Sequence, residues 1–348
     1  MKRVAFIIGS MGKGGAERVI SILSNAYIKK GWQVDIIMLL GNSIEYQLSD
    51  SINVIDLSTG KSKLKSIPSW YRKLRKYAKY NNPNVMIAFS AMMYFTTLFS
   101  TLGLDTPLIV TERSDPYSDG RSILIDMLVN WLYPKARVVV LQTERAKSYF
   151  SDKVKANSVI IPNPIEVKSY ASSKPAKKIV NVGRLIEAKN QKLLINAFYR
   201  INKEYPEYIL YIYGDGVLYD DLKNQINKLG INNRVFLEGN VANIHDAISD
   251  AEFFVLSSNY EGLSNALLES MMMGIPCIST NCAGSDEYII DGISGYLVPV
   301  GDEDLLYDSM KKMIINNNLR KKLANNGKME VEKCKVENII VMWEKYLY

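Results

Sequence analysis

Apolar residues in this chain fall into two alternating patterns. Short continuous runs of Val, Ile, Leu and Phe recur at Val4–Ile8, Val34–Leu40, Val54–Leu57, Val85–Phe89, Leu108–Thr111, Val138–Leu141 and Val159–Ile161. Such runs are what strands covered on both faces require. Between them lie amphipathic stretches such as Ala16–Lys30, which Gly31 closes as a helix C-cap residue. Strand–helix–strand alternation predicts a parallel sheet with helical crossovers. The rhythm breaks at Pro162-Asn163-Pro164, and the stretch to Pro175, rich in Ser, Lys and Pro, reads as a linker. It then resumes with strands at Ile179–Val182, Tyr208–Tyr213, Val235–Leu237, Phe253–Leu256 and Pro276–Ser279. Helices are expected at Gln191–Lys203, near Leu218–Leu229 and from Asp304 to the C-terminus. The expectation is an α/β protein of two Rossmann-like, doubly wound parallel-sheet domains, 1–165 and 176–330, facing a cleft where a ligand binds.

Composition narrows the class. At 348 residues, 47% hydrophobic and 23% charged, the chain is neither disordered nor a disulfide-stapled miniprotein. Three cysteines (Cys277, Cys282, Cys334) make no disulfide framework and suit a reducing, cytosolic compartment. The net charge of +7 is unevenly spread: residues 1–165 hold 22 Lys/Arg and 12 Asp/Glu, whereas the remainder is slightly acidic. No acid occurs from Leu57 to Leu104, yet eight cations lie between Lys61 and Lys79. A one-sided positive field suits phosphates, acidic membrane surfaces or nucleic acid, and the ordinary alternative is a solvated helix face. Within it Trp70, Leu74 and Tyr77 share one helix face, while Arg72, Lys73, Arg75, Lys76 and Lys79 occupy much of the rest. That helix is expected to bury its stripe on the domain or in a headgroup region, its cations meeting phosphates.

Two stretches imitate membrane signals. The run after Met1-Lys2-Arg3 is too short for a signal-peptide core. Val85 to Leu104 is uncharged over twenty residues but divides naturally into a strand, Val85–Phe89, and a helix, Met92–Leu102.

Three motifs carry candidate chemistry. Gly9-Ser10-Met11-Gly12-Lys13-Gly14-Gly15 joins the first strand to the first helix, where glycines let an anion approach the helix N-terminus. It matches neither the Walker A nor the dinucleotide spacing. Val182-Gly183-Arg184-Leu185-Ile186-Glu187-Ala188-Lys189-Asn190 puts Arg184 and Lys189 at the C-terminal edge of the second sheet, where two cations can clamp a diphosphate. Glu261-Gly262-Leu263-Ser264-Asn265-Ala266-Leu267-Leu268-Glu269 follows the strand Phe253–Leu256. With Ser264 as cap, the N–H groups of Asn265, Ala266 and Leu267 face the cleft, and Glu269 can accept bonds from a ribose diol. Each motif alone also has an ordinary reading as a tight turn, exposed cations or chance glutamates.

Together with Tyr213-Gly214-Asp215-Gly216, the segments GGAERV (Gly14–Val19), VGRLIEAKN and EGLSNALLE make the chain resemble the GT-B glycosyltransferases of family 4. The resemblance implies a retaining, metal-independent hexosyltransferase that uses a nucleotide-diphosphate sugar and needs no cofactor. It points to bacterial enzymes that extend lipid-linked oligosaccharides or surface polysaccharides. By that likeness Arg184 and Lys189 hold the donor pyrophosphate, Glu261 contacts the transferred sugar and Glu269 the ribose. Gly14 and Gly15 flank the phosphates, Gly214 lies in the donor site, and Val241, after Asn240, lies where the base is read. Arg113 stands where many members carry a histidine, near sugar or acceptor. The segment 331–348 is expected to pack back on the first domain through Trp343 and Tyr346.

His245, the single histidine, is expected on a surface helix, which excludes Ser–His–Asp catalysis and multi-histidine metal sites. Asp302-Glu303-Asp304 reads as a helix start rather than a metal motif. The expected function is transfer of a sugar, from a UDP-sugar in preference to GDP-mannose, to a polyprenyl-diphosphate-linked glycan, by an enzyme peripheral on the inner face of the cell membrane. The alternatives are a non-catalytic GT-B subunit steadying a partner enzyme, and a dehydrogenase, which the missing dinucleotide fingerprint disfavours.

Overall fold

In the computed structural model, which describes residues 2–172, 174–282 and 284–347, the apolar runs become strands of two separate parallel sheets. Met1, Ser173 (inside the segment read as a linker), Ala283 and Tyr348 lie outside the described residues.

The first unit comprises 1–164 and 335–348. Its chain order is β1 (Arg3–Ile8), α1 (Gly15–Lys29), β2 (Gln33–Met38), β3 (Asn53–Asp56), α2 (Lys63–Asn81), β4 (Val85–Phe89), α3 (Ala91–Ser100), β5 (Leu108–Thr111), α4 (Ile123–Leu132), β6 (Val138–Leu141), α5 (Glu144–Tyr149), α6 (Asp152–Ala156) and β7 (Ser158–Ile160). The sheet order is β3-β2-β1-β4-β5-β6-β7. Strand side chains alternate between two cores. Val4, Phe6 and Ile8 meet Leu23 and Tyr27 of α1 on one face, whereas Ala5 and Ile7 meet Trp70, Tyr94 and Tyr133 on the other.

The second unit, 165–334, holds β8 (Lys178–Val182), α7 (Gln191–Glu204), β9 (Ile209–Tyr213), α8 (Tyr219–Leu229), β10 (Val235–Gly239), α9 (Ile244–Ile248), β11 (Phe253–Leu256), α10 (Asn265–Met273), β12 (Cys277–Thr280), β13 (Tyr296–Val298), α11 (Glu303–Ile315) and α12 (Asn317–Val331). Its sheet order is β10-β9-β8-β11-β12-β13. The chain ends with α13 (Val336–Glu344), which rejoins the first unit: Trp343 and Leu347 are buried in its core and Glu344 pairs with Lys30 at 2.6 Å.

Several sequence expectations need correction. Among its described residues, the stretch 166–175 is no free linker. Ala171 and Ser172 donate backbone N–H groups to Met273 O (2.8 Å) and Ser249 O (2.7 Å), carbonyls at the ends of α10 and α9. Its polar side chains resemble a linker's, but its backbone satisfies helix-end acceptors that would otherwise be orphaned. The units part at 334/335 rather than 330/331, because Val331 and Cys334 belong to the second core. The three-residue β13 was too short to leave a period.

On α2 the stripe of Trp70, Leu74 and Tyr77 is buried in the first unit, so it does not enter a headgroup region. Arg75 is likewise removed from the solvent-facing cations. Its Nη1 donates to Ser100 O (3.2 Å) and Leu102 O (2.7 Å) at the end of α3. The stretch 85–104 divides into β4 and α3, and among the described residues no helix is long and apolar enough to cross a membrane.

Candidate active site

In each sheet the winding reverses direction beside the unit's first strand, between β1 and β4 and between β8 and β11. At such a switch the loops leaving two adjacent strands diverge to opposite faces and open a crevice at the strands' C-terminal ends. Both second-unit motifs occupy it. After β8 the chain runs through Gly183 and Arg184 into a short 3₁₀ turn, Glu187–Lys189, and Asn190 then takes left-handed geometry (φ 44°) and caps α7. The loop after β11 is laced to it: Asn259 N donates to Ala188 O (2.8 Å), Ser257 Oγ to Lys189 O (2.9 Å), and Asn190 Nδ2 to Asn259 Oδ1 (2.9 Å).

This lacing brings Lys189 and Glu261, 72 residues apart, into an ion pair through Nζ and Oε1. Ser258 Oγ donates to the same carboxylate oxygen at 2.8 Å. Both side chains are mostly shielded from water, so their attraction is weakly screened. Arg184, in contrast, is exposed, and its guanidinium has no ion-pair partner among the described residues. Ser264 Oγ accepts from Leu267 N (3.4 Å) and caps α10, with Asn265 and Ala266 as the first helical residues.

The loop after β9 passes so close that only glycine fits. Gly214 has φ 133°, and a Cβ there would lie 2.0 Å from Gly183 O. A Cβ on Gly216 would lie 2.4 Å from Leu185 O. Gly214 N donates to Gly239 O (2.7 Å), tying this loop to the end of β10, beyond which Val241 packs half-buried on the second core.

In the first unit, Gly14 is the N-cap residue of α1 and Gly15 its first helical residue. The Glu17 carboxylate folds back over this turn, and a Cβ at Gly14 would lie 2.1 Å from its Oε2. The helix N-terminus therefore has an internal anion beside it. Arg113, beyond β5, lies between the Phe89 and Trp343 rings (5.4 and 5.8 Å to the centroids) and donates through Nη1 to Asn163 Oδ1 at 2.8 Å. Burial pulls its pKa down to about 9, with Glu112 acting in the opposite sense. Its Nε and Nη2 are buried with no acceptor among the described residues.

Comparison with known proteins fits this architecture. The family model "Glycosyltransferase Family 4" matches residues 13–169, and "Glycosyl transferases group 1" matches 163–330. The chain belongs to the GT-B glycosyltransferases of family 4. It is 28% identical to the Campylobacter jejuni GalNAc-alpha-(1->4)-GalNAc-alpha-(1->3)-diNAcBac-PP-undecaprenol alpha-1,4-N-acetyl-D-galactosaminyltransferase, covering 100% of this chain and 98% of that one. It is 29% identical to a second C. jejuni enzyme, an N-acetylgalactosamine-N,N'-diacetylbacillosaminyl-diphospho-undecaprenol 4-alpha-N-acetylgalactosaminyltransferase, covering 94% of each. Among solved structures, Anabaena Alr3699/HepE in complex with UDP and glucose matches with TM-score 0.87 at 17% identity, covering 99% of each chain. That likeness is one of fold.

Within this glycosyltransferase the second-unit candidates Arg184, Lys189, Glu261, Ser264, Asn265 and Ala266 all lie on the two loops at the β8/β11 switch or on the helix that follows them. Gly14, Gly15 and Arg113 belong to the first unit.

The sequence reading misplaced one residue and passed over another. His245 is buried, not on a surface: its Nδ1 accepts from Lys168 N (3.1 Å) and its Nε2 lies 3.2 Å from Glu269 Oε2. An accepting Nδ1 places the ring proton on Nε2, so His245 donates to Glu269. No local pattern shows this, because the contact joins two helices. Ser90, at the first sheet's switch point, has φ 105° and ψ 159°, a region suited to glycine. No residue-type signal marks it. Asp302, meanwhile, caps α11 by accepting from Leu305 N at 2.9 Å, and Asp304 bonds Arg200 at 2.6 Å.

Proposed function

We propose that this enzyme transfers a sugar from a UDP-sugar to a polyprenyl-diphosphate-linked glycan, with retention of anomeric configuration and without a metal cofactor. The observation that carries the reading is the grouping of exposed Arg184 with the Lys189–Glu261 pair at the second sheet's switch point. An incoming diphosphate competes with Glu261 for Lys189 and adds the planar fork of Arg184. Glu261, released from its cation, is then an acceptor for sugar hydroxyls. The C1–O bond to the β-phosphate breaks as the acceptor oxygen bonds to C1, and the acceptor's hydroxyl proton leaves with the departing diphosphate. Cations held in place beforehand stabilise the charge that develops on that leaving group. Two relatives named for undecaprenyl-diphosphate acceptors, and neighbours solved with UDP, support the substrate classes.

Access to a lipid-borne acceptor places the enzyme peripherally on the inner face of the cell membrane. Arg72, Lys73 and Lys76 face solvent on α2, and the two lysines line an open pocket of about 540 Å3 with Ile55, Leu57 and Tyr80. In this proposal these cations meet acceptor pyrophosphate or anionic headgroups. The test is incubation of full-length enzyme with a panel of nucleotide sugars and a short polyprenyl-diphosphate glycan. Proton coupling at the new anomeric centre should report the donor's configuration; an inverted product, or turnover with no UDP-sugar, rejects the reading.

A further inference from the structure

We propose that α4 is a membrane-inserting helix, whose outward face enters the interfacial layer of an anionic bilayer and seats the first unit there. The helix reads Ile-Leu-Ile-Asp-Met-Leu-Val-Asn-Trp-Leu. Val129 and Leu132 point into the core, and Asp126, its one ionisable residue, is half-buried at the Tyr149 hydroxyl. The outward face is apolar: Ile123 is 81% exposed, Leu124 73%, Met127 64% and Trp131 60%. A helix on a water-facing surface carries charge there, whereas this one carries none.

The exposure does not come from a loose segment. Ser122 caps the helix, the Tyr94 hydroxyl donates to Leu132 O at 3.1 Å, and Arg121, just before it, pairs with buried Glu112 at 3.2 Å. The fold thus holds α4 with its apolar face outward.

Charge selects the occupant. Residues of α2, α3 and α4 pack into one core on the same face of the sheet. The segment 57–104, which includes α2 and α3, holds eight cations and no acid, and it adds exposed Leu64, Phe99 and Leu102. Exposed apolar residues and an acid-free run of cations on the same face of one sheet match an anionic bilayer, which takes both. A second copy meeting this layer through a two-fold would bring together two surfaces of the same positive sign. Trp131, with Lys135 Nζ 4.2 Å from its ring centre, presents the pairing favoured at headgroup level, the ring in the interface and the ammonium among phosphates. The inference deepens the functional reading by saying how a lipid-linked acceptor is reached. It rests on the first unit's surface alone, so its test contains neither donor nor acceptor.

Trp131 is exposed, whereas Trp32, Trp70 and Trp343 are buried, so vesicle quenching reports on α4. Full-length protein is mixed with phosphatidylglycerol-rich vesicles carrying brominated chains. Its fluorescence should fall, and the fall should vanish in W131F. Partitioning should persist at about 1 M salt, where screening acts beyond about 3 Å. L124E/M127E should weaken it at least about tenfold, because apolar burial is lost, while its melting temperature stays that of wild type. If that variant unfolds, L124S/M127S replaces it. Equal partitioning of wild type and variant, or absence of Trp131 quenching, overturns the proposal. So does a concentration-dependent dimer, abolished by the same variant, in protein that ignores vesicles; that result assigns the face to self-association.

Discussion

Arg184 and Lys189 are both cations on one loop, yet their surroundings predict different mutants. Arg184→Ala removes an exposed guanidinium with no ion-pair partner among the described residues and should leave the melting temperature near wild type. Lys189→Ala strands the Glu261 carboxylate in a mostly shielded position and should destabilise the fold as well. Each should lower kcat/KM by about 2–4 kcal/mol of transition-state stabilisation, measured by steady-state kinetics beside thermal melts. Glu269 and His245 make a second pair. If Glu269 holds the ribose, Glu269→Ala should weaken UDP binding and make it indifferent to 2′-deoxy substitution. His245→Phe should weaken it by about 1–3 kcal/mol, because the carboxylate loses the donor that orients it. Calorimetry showing unchanged affinity in both rejects the role. Backbone geometry gives a third contrast. Ser90→Gly should stabilise by about 1 kcal/mol by relieving its positive φ, whereas Gly214→Ala should destabilise, its Cβ striking Gly183 O.

At the scale of elements, α2 shows how one amphipathic pattern divides its work. Trp70, Leu74 and Tyr77 stabilise the first unit, and the opposite face keeps Arg72, Lys73 and Lys76 in solvent. Each basic residue near an anionic surface contributes about 1 kcal/mol. Changing those three to Gln should therefore weaken vesicle binding strongly at low salt and little at high salt. Co-sedimentation across a salt series checks this, and a salt-independent loss would mean that the helix acts otherwise. Arg75 is left out of the set because its guanidinium holds the end of α3.

At the scale of the whole molecule, the expectation that no metal takes part becomes an experiment. If Arg184, Lys189 and the start of α10 hold the diphosphate, as proposed, turnover should survive EDTA treatment, and added magnesium should raise it by less than about twofold. Loss of activity on chelation, restored by a divalent ion, would replace the cationic clamp with a metal-bridged one.

The sequence by itself determined the alternation of strands and helices, the parallel sheets and the motif segments at strand ends. Each is written in neighbouring residues: strands covered on both faces need continuous apolar runs, and helix starts need caps. Ser264 and Asp302 were legible as caps because capping acts over three residues. Only the tertiary structure decided what depends on residues distant in sequence. The pairing of Lys189 with Glu261, the burial of His245 against Glu269 and the docking of Ala171 and Ser172 on helix ends all join separated segments. The apolar outward face of α4 belongs to the same class. A sequence shows that Ile123, Leu124, Met127 and Trp131 are hydrophobic, but which side of a helix faces the core is settled by what packs against it.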